Sequence, residues 1–435
     1  RQPERPASCR LQPHTRLVSS PYHGSVIVWL PAIGYRLPAM QLAWGHETLE
    51  LAVDETNLVA GRRAPIAPDI ADPVQAMRDA LEHPLDYPAL RLALTPDDHV
   101  ALVVDETIPH LGRLLTPVLE HIRQAHVKPE AITLICPTHD SDQAWLDDLP
   151  DEFQDVQVET HQATDRKKLA YLATTKEGRR IYLNRTVVDA DQVVVLGRRS
   201  YDPVLGCAGA ETSLFPMLSD EATLEEYRTK LKSRAPDALP WPVQQEAREV
   251  TWMAGAPFFL QVIPGTGDNL CGVLAGPLES SGAGQTLIDA RWRCEYERPA
   301  DVVIASVTGA ATGADLARAF FAAARVVKPS GSIVLLSDVT PALGPSFEVF
   351  RRHDEPALAL RLLMQEKPGD LAVGYMWATA AEQARLYLLS GLSNDIAEEL
   401  FTIPLQHAEQ ARRLLGGNAS CIVLEDAHKT LAVLA

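Results

Sequence analysis

Long apolar runs are missing from this chain. No stretch of its 435 residues approaches the roughly 18 consecutive apolar positions that a membrane-spanning helix requires. An excess of basic charge is missing too. Forty Lys and Arg face 57 Asp and Glu, a formal net charge of −17. That balance argues against a nucleic-acid binder, which usually shows a basic patch or stripe, and against an electrostatic membrane anchor. It fits a soluble, self-repelling surface. Cysteine is sparse, and none of the six (Cys9, Cys136, Cys207, Cys271, Cys294, Cys421) forms a CxxC pair. A zinc ribbon and a thioredoxin-like redox motif are therefore not indicated. Cys136 and Cys421 lie in apolar runs and read as buried thiols, and a reducing, cytoplasmic setting is the expectation. The phosphate loop G-x-x-x-x-G-K-[ST] is absent, as is the G-x-S-x-G nucleophile elbow, so nucleotide hydrolysis and α/β-hydrolase chemistry are not expected.

What is present is a repeated alternation of apolar runs with helix-like stretches. Residues 1–40 stand apart: they are rich in Pro, Arg and Ser, have no clear period, and read as a disordered or mis-annotated leader ahead of Met40. LAWG and ETLELAV suggest an antiparallel hairpin. Residues 73–83 fit a helix, with Asp72 as cap and Pro73 at the first position, where its missing donor costs nothing. Thr116-Pro117 reads as a second such start, followed by Val118, Leu119 and Ile122 on one face. HVALVV, AITLIC, VQVET, IYLNR and QVVVLG read as strands, and FFLQVIPGTGDNLCGVLAG as a hairpin with a Gly-rich turn. Residues 301–345 form a strand–helix–strand; LALRLLMQ, AEQARLYLL and AEQARRLLG read as helices, and CIVLED and TLAVLA as late strands. This predicts an α/β protein of two α/β domains, with mainly parallel sheets and an interdomain cleft. The domains are placed at 41–255 and 256–435.

The chemistry-bearing candidates sit where strands empty into polar loops, the usual ligand-binding edge of an open α/β sheet. His139 follows AITLIC, and an imidazole there suits a general base at neutral pH, or is simply a satisfied loop histidine. His161 and Asp105 stand in similar places; a strand-end carboxylate also commonly caps the next element. Arg198 and Arg199, beside Asp202, suit an anionic substrate, with two solvated arginines as the equal alternative. GAATG, holding Gly309 and Gly313 between a strand and a helix, lacks the full G-x-G-x-x-G and reads first as a plain turn.

These segments, in this order, carry a resemblance. Asp105-Glu106-Thr107-Ile108-Pro109, Thr138-His139, the run from His161 through GRRIYLNRTVVDADQVVVLG, YDPVLGCAGAE, and DVVIASVTGAATGADL resemble successive segments of the nickel-pincer-dependent lactate racemase family. The likeness runs from about residue 42 to the end of the chain. The resemblance implies two α/β domains around a cleft and a nickel-pincer nucleotide tethered to a lysine. It also implies a histidine that takes the hydroxyl proton of a small 2-hydroxy acid while hydride moves to the cofactor. On that footing His139 and Asp105 take the catalytic positions. Thr138, Arg185 and Gly209 take cofactor positions, Asp202 the metal-ligand position, and Arg198, Arg199 and His161 surround a small anionic substrate.

The sequence departs from the family where the chemistry is most demanding. Ile108 stands for an arginine, Arg185 for the tethering lysine, Asp202 for the nickel-binding histidine, and Ala208-Gly209-Ala210-Glu211 for a Ser-Gly-Gly-x-Lys run. The lysine expected on the helix after Asp315 is replaced within FFAAAR. A guanidinium stays protonated and is a poor nucleophile, and a carboxylate is a hard oxygen donor in place of imidazole. Three readings follow: a divergent hydroxy-acid racemase or epimerase, a non-catalytic small-anion-binding paralogue, and a metal-assisted enzyme of another class using His139, Asp202 and Glu211.

Overall fold

The computed structural model describes residues 39–53, 55–62, 68–137, 143–231, 242–255, 258–416 and 418–435. The expected leader lies outside them, apart from Ala39 and Met40. The chain folds as an α/β protein around two mainly parallel sheets, as the alternation of apolar runs implied. The first sheet has six strands in the order Leu270–Gly276, Phe258–Pro264, Gln192–Arg198, Val100–Val104, Ile132–Cys136, Gln157–Thr160. All of its pairings are parallel except the Phe258–Pro264 hairpin with Leu270–Gly276. The second has five parallel strands: Thr402–Pro404, Arg385–Leu389, Val327–Leu336, Ala300–Ser306, Cys421–Leu424.

Continuous apolar strands are what a parallel sheet covered on both faces requires. Every residue of Val100–Val104 is buried. The helix Leu111–Gln124 covers that sheet with Leu111, Leu114, Leu115, Val118, Leu119 and Ile122, a 3.6-residue stripe. On the second sheet, Gly313–Ala324 turns Leu316, Ala319, Phe320 and Ala323 inward. Phe320 packs edge-on to Trp377 with centroids 4.9 Å apart. The Trp377 indole N–H, which needs a partner once buried, donates to the Leu400 carbonyl at 2.7 Å.

Asp72 accepts from the Gln75 amide and Pro73 opens the helix Pro73–Glu82, as its pattern predicted. The hairpins Ala39–Trp44/Glu47–Ala52 and Phe258–Pro264/Leu270–Gly276 also form. Thr116-Pro117 is not a helix start. The helix begins at Leu111, after a left-handed His110 (φ 55°), and runs through Pro117; the Thr116 hydroxyl donates back to the Gly112 carbonyl at 2.9 Å. AEQARLYLL divides: Leu371–Gln383 is helical, while Arg385–Leu389 is an inner strand of the second sheet. AEQARRLLG becomes a one-turn Ala408–Gln410 and a short Ala411–Leu414.

Sheet membership does not follow the expected boundary at 255. Phe258–Pro264 and Leu270–Gly276 complete the first sheet. The Ala39–Ala52 hairpin instead lays Leu42, Trp44, Leu49 and Leu51 on Val302, Ile304, Val334 and Leu336 of the second. Gly61–Arg62 pairs with Arg293–Tyr296, which pairs with Leu431–Leu434. The two lobes are therefore 68–292 and, from two separate stretches, 39–62 with 293–435.

Candidate functional site

Asp105 leaves the end of Val100–Val104 and is fully used locally. One oxygen accepts from the amide and hydroxyl of Thr107, and the other accepts from the Arg198 amide at 3.1 Å. It closes its own turn and fixes the end of the neighbouring strand, as a capping carboxylate does. Ile108 is packed in the core of the first lobe. The strand Ile132–Cys136 ends where expected, but Thr138 and His139 lie outside the described residues. His161 is 2% exposed, and its Nε2 donates to the Ser219 carbonyl at 2.8 Å. It ties two loops together inside the first lobe instead of facing a ligand.

Arg199 is not a solvated arginine. It is 1% exposed, and its guanidinium meets Glu211 through two contacts at 3.1 and 3.2 Å. It also donates to Gln261 at 2.9 and 2.7 Å and to the Ser281 carbonyl at 3.0 Å. Burial alone would lower its pKa, and the Glu211 carboxylate holds it above the ordinary arginine value. Two glycines make the room. A Cβ on Gly209 would lie 2.5 Å from Arg199 Cζ, and one on Gly284 would lie 2.2 Å from Gln261 Oε1. Gly209 thus serves the buried pair and the start of Ala210–Leu214, with its amide accepted by the Thr212 hydroxyl. Arg199, expected at the substrate, is internal.

Arg185 donates to the carbonyls of Lys167 and Leu169, each at 2.8 Å, and pins the Leu169–Thr174 strand. Asp202 Oδ1 accepts from the amides of Val204 and Leu205 at 2.7 and 2.9 Å and closes the turn between Ser200–Asp202 and Gly206–Ala208. Among the described residues, no three His, Cys, Asp or Glu side chains are grouped to hold a metal ion.

What the structure does bring together is a crevice between the lobes. The first lobe contributes Tyr201, Asp202 and Pro203. The second contributes Arg318, Phe321, Ala322 and Arg325 from Gly313–Ala324 and its C-cap, then Met376, His428, Thr430 and Leu431. Its cavity is about 30 Å³. Asp315 accepts from the amide and hydroxyl of Thr312, a capping box, and pairs with Arg318 at 3.0 Å. Burial opposes its ionisation, yet Arg318, His428 and Arg198 hold its carboxyl well below the usual range. Arg198 therefore does reach this region, from the first lobe. Burial pulls His428 down to about 4, against the attraction of Asp315 and Asp426, and lowers Arg325 to about 10, with Arg293 adding to the effect. Arg318 Nε and His428 Nδ1 are buried with no hydrogen-bond partner among the described residues. Sequence reading missed Arg318, Arg325 and His428. The strand–helix–strand pattern over 301–345 marked the helix that carries Arg318 and ends at Arg325, but nothing in it marked either side chain. A larger cavity, about 290 Å³, lies at the starts of Pro73–Glu82 and Leu111–Gln124; its charged lining is mixed, with Asp72 and Asp268 beside Arg113 and His110.

Residues 44–236 match the family described as the lactate racemase N-terminal domain. That stretch takes in most of the first lobe and part of the hairpin that packs on the second, and it is similar to that domain. The chain as a whole is similar in fold to the lactate racemase apoprotein from Thermoanaerobacterium thermosaccharolyticum, with a TM-score of 0.75 and 15% identity over 91% of this chain and 99% of that one. It is also similar to a protein from Thermotoga maritima, with a TM-score of 0.63 and 11% identity over 85% of this chain and all of that one. Identities this low speak for the fold. No curated protein matches the sequence. No described helix is long and apolar enough to cross a membrane.

The nickel-pincer group implied by the resemblance can be tested against the donors in place. A tether needs a nucleophilic amine, but Arg185 is a guanidinium bonded to two carbonyls. The ligand position needs an imidazole, but Asp202 is a carboxylate folded onto its own turn. The place of the basic run holds Glu211, bound by the buried Arg199. These residues do not fit the group.

Proposed function

We propose that this chain is a small-anion-binding paralogue on the racemase scaffold that works without the nickel-pincer cofactor. The observation that carries this reading is the engagement of Arg185, Asp202 and Glu211 in internal hydrogen bonds. Each of the three family positions has been turned to structural use. The cleft meanwhile keeps basic groups, Arg318, Arg325 and nearby Arg198, on a molecule whose net charge is −17. That local reversal of sign favours a small anionic metabolite over a neutral one. A reducing, cytoplasmic setting belongs to the same reading, since Cys136, Cys207, Cys271, Cys294 and Cys421 are all free thiols.

The test is to produce the protein alongside enzymes that make the pincer cofactor, then measure metal content and intact mass. The expected outcome is the unmodified chain mass with nickel far below one per chain. Stoichiometric nickel with an added cofactor mass would sink the proposal and favour racemisation of a 2-hydroxy acid with His139 as base.

A further inference from the structure

We propose that the interlobe crevice binds one compact monovalent anion, of the size of chloride or formate, between Arg318, Arg325 and His428, and that this anion bridges the two lobes. The inference rests on the small-anion reading above and gives it a site and a size class.

The case begins with groups the fold leaves unanswered. Arg318 Nη1 is paired with Asp315 at 3.0 Å, but its Nε–H, which can only donate, is buried without an acceptor among the described residues. His428 Nδ1, which donates in one tautomer of the neutral ring and accepts in the other, is also buried without a partner among the described residues and lines the same crevice. A buried donor left unmade is costly, and native structures rarely keep one without a reason. Arg325 adds a charge. Its described neighbours are the Phe321 ring, 5.7 Å from the guanidinium carbon, and a second cation, Arg293. Arg293 is itself paired with Glu295.

The nearby carboxylates are committed elsewhere. Asp315 serves Thr312 and Arg318. Asp426 serves Thr308, Gly267 and Lys429. Asp202, the one carboxylate in the lining, gives its Oδ1 to the amides of its own turn and, among the described residues, forms no ion pair with Arg318 or Arg325. A water would satisfy a donor but leave the Arg325 charge uncompensated, whereas an anion answers both. The volume sets the class. About 30 Å³ is two to three times the roughly 10–15 Å³ that a cavity needs to hold one water, room for a halide or a one-carbon carboxylate and tight for a hydroxy acid. Because Tyr201 and Pro203 close the crevice from the other lobe, the bound state requires docked lobes, and binding must raise their joint stability.

The test uses the full chain in a buffer whose only anion is bulky, such as gluconate, at fixed ionic strength. Thermal unfolding is followed while chloride, formate or lactate replaces it. The expected result is a saturable rise in Tm with chloride, formate or both, and none with lactate. Chloride alone would name a halide as the ligand, and formate alone a carboxylate. Arg325→Met should weaken the apparent affinity at least tenfold, and Arg318→Lys, which keeps charge but loses the Nε–H, should weaken it as well. A linear salt effect equal in wild type and Arg325→Met would overturn the proposal, as would lactate acting as well as formate. Should Arg325→Met not fold, bromide-soaked crystals of the wild type decide: an anomalous peak in the crevice supports the site, and its absence there refutes it. A flat titration leaves the cofactor question untouched, since that is read from nickel and mass.

Discussion

Glu211 and Arg199 show how much of this site is decided by single side chains. Both are buried, and the pair is joined by Gln261 and Ser281. Removing one partner from such a pair leaves a charge in a dry place, which costs far more than the pair contributes. Glu211→Gln should therefore destabilise the protein by about 3–5 kcal/mol in urea unfolding. Arg199→Met with Glu211→Leu should recover most of that; equal losses in the single and double variants would contradict the account. His428 permits a second expectation, with its sign fixed by linkage. Burial places it at about 4 in the folded protein, below its ordinary 6.5, so between those values the unfolded chain holds a proton the folded one lacks. Stability should be flat above pH 6.5 and fall as pH drops toward 4, with a slope approaching about 1.4 kcal/mol per pH unit. The carboxylates facing it, Asp315 and Asp426, are held low and titrate beneath that window, while Lys429 and Arg198 add repulsion that opposes protonation of His428. His428→Gln should remove this slope in Tm-against-pH measurements. The sequence could flag Asp105, Arg185, Arg198, Arg199 and Asp202 by type and strand-end position. It could not show that their partners are backbone groups and one another. Arg318 and His428 meet across about a hundred residues of chain, and no local pattern marks that.

Short elements hold the lobes together. The Ala427–Lys429 turn begins at Asp426, a left-handed residue (φ 46°) whose carboxylate is fully buried. It accepts from Thr308 through amide and hydroxyl and, across the lobe boundary, from the Gly267 amide at 2.8 Å. Lys429 reaches the same loop, donating to the carbonyls of Gly265 and Gly267. Asp426→Ala removes the acceptor of the Thr308 amide and hydroxyl, the Gly267 amide and the Lys429 ammonium, so a loss of about 3 kcal/mol or more is expected. Hydrogen exchange should rise at the Gly267 and Thr308 amides before it rises in the sheets; unchanged protection at both would refute this clamp. Nothing in AHK announces such a turn. Elements whose signal is local were legible: the Asp72-Pro73 start, the Gly-rich 264–270 turn, and the strand–helix–strand from Ala300 to Leu336. RLYLL was misread because a four- or five-residue apolar run next to a helix has no period of its own, and its strand state comes from pairing on both sides. Thr116-Pro117 was misread because helix packing from Leu111 onward outweighs one missing backbone donor.

At the scale of the whole molecule, the chain crosses between lobes, and this makes the arrangement testable by cutting it. The apolar clusters of the first lobe draw all their buried members from residues 77–292. Those of the second draw theirs from 42–59 and 294–432. A linear reading of sequence places one boundary after the charged 220–250 stretch, because composition shifts there. It cannot see that Phe258–Pro264 lies beside Gln192–Arg198 in parallel, or that Trp44 and Leu49 pack on a strand some 250 residues onward. A 41–255 fragment would lose the strand carrying Phe258, Phe259, Leu260, Val262 and Ile263, all buried. It would also carry a hairpin whose apolar face has no partner. Gln192–Arg198 would become an exposed apolar edge, a template for aggregation. A 68–292 fragment keeps all six strands and every cluster of its lobe. The expected outcome is a soluble 68–292 fragment with native-like circular dichroism and a cooperative urea transition, beside a 41–255 fragment that aggregates or melts without cooperativity. If 41–255 were the better-folded piece, the discontinuous second lobe would be wrong. The crevice proposed to hold an anion between the lobes would then lose its two-sided frame.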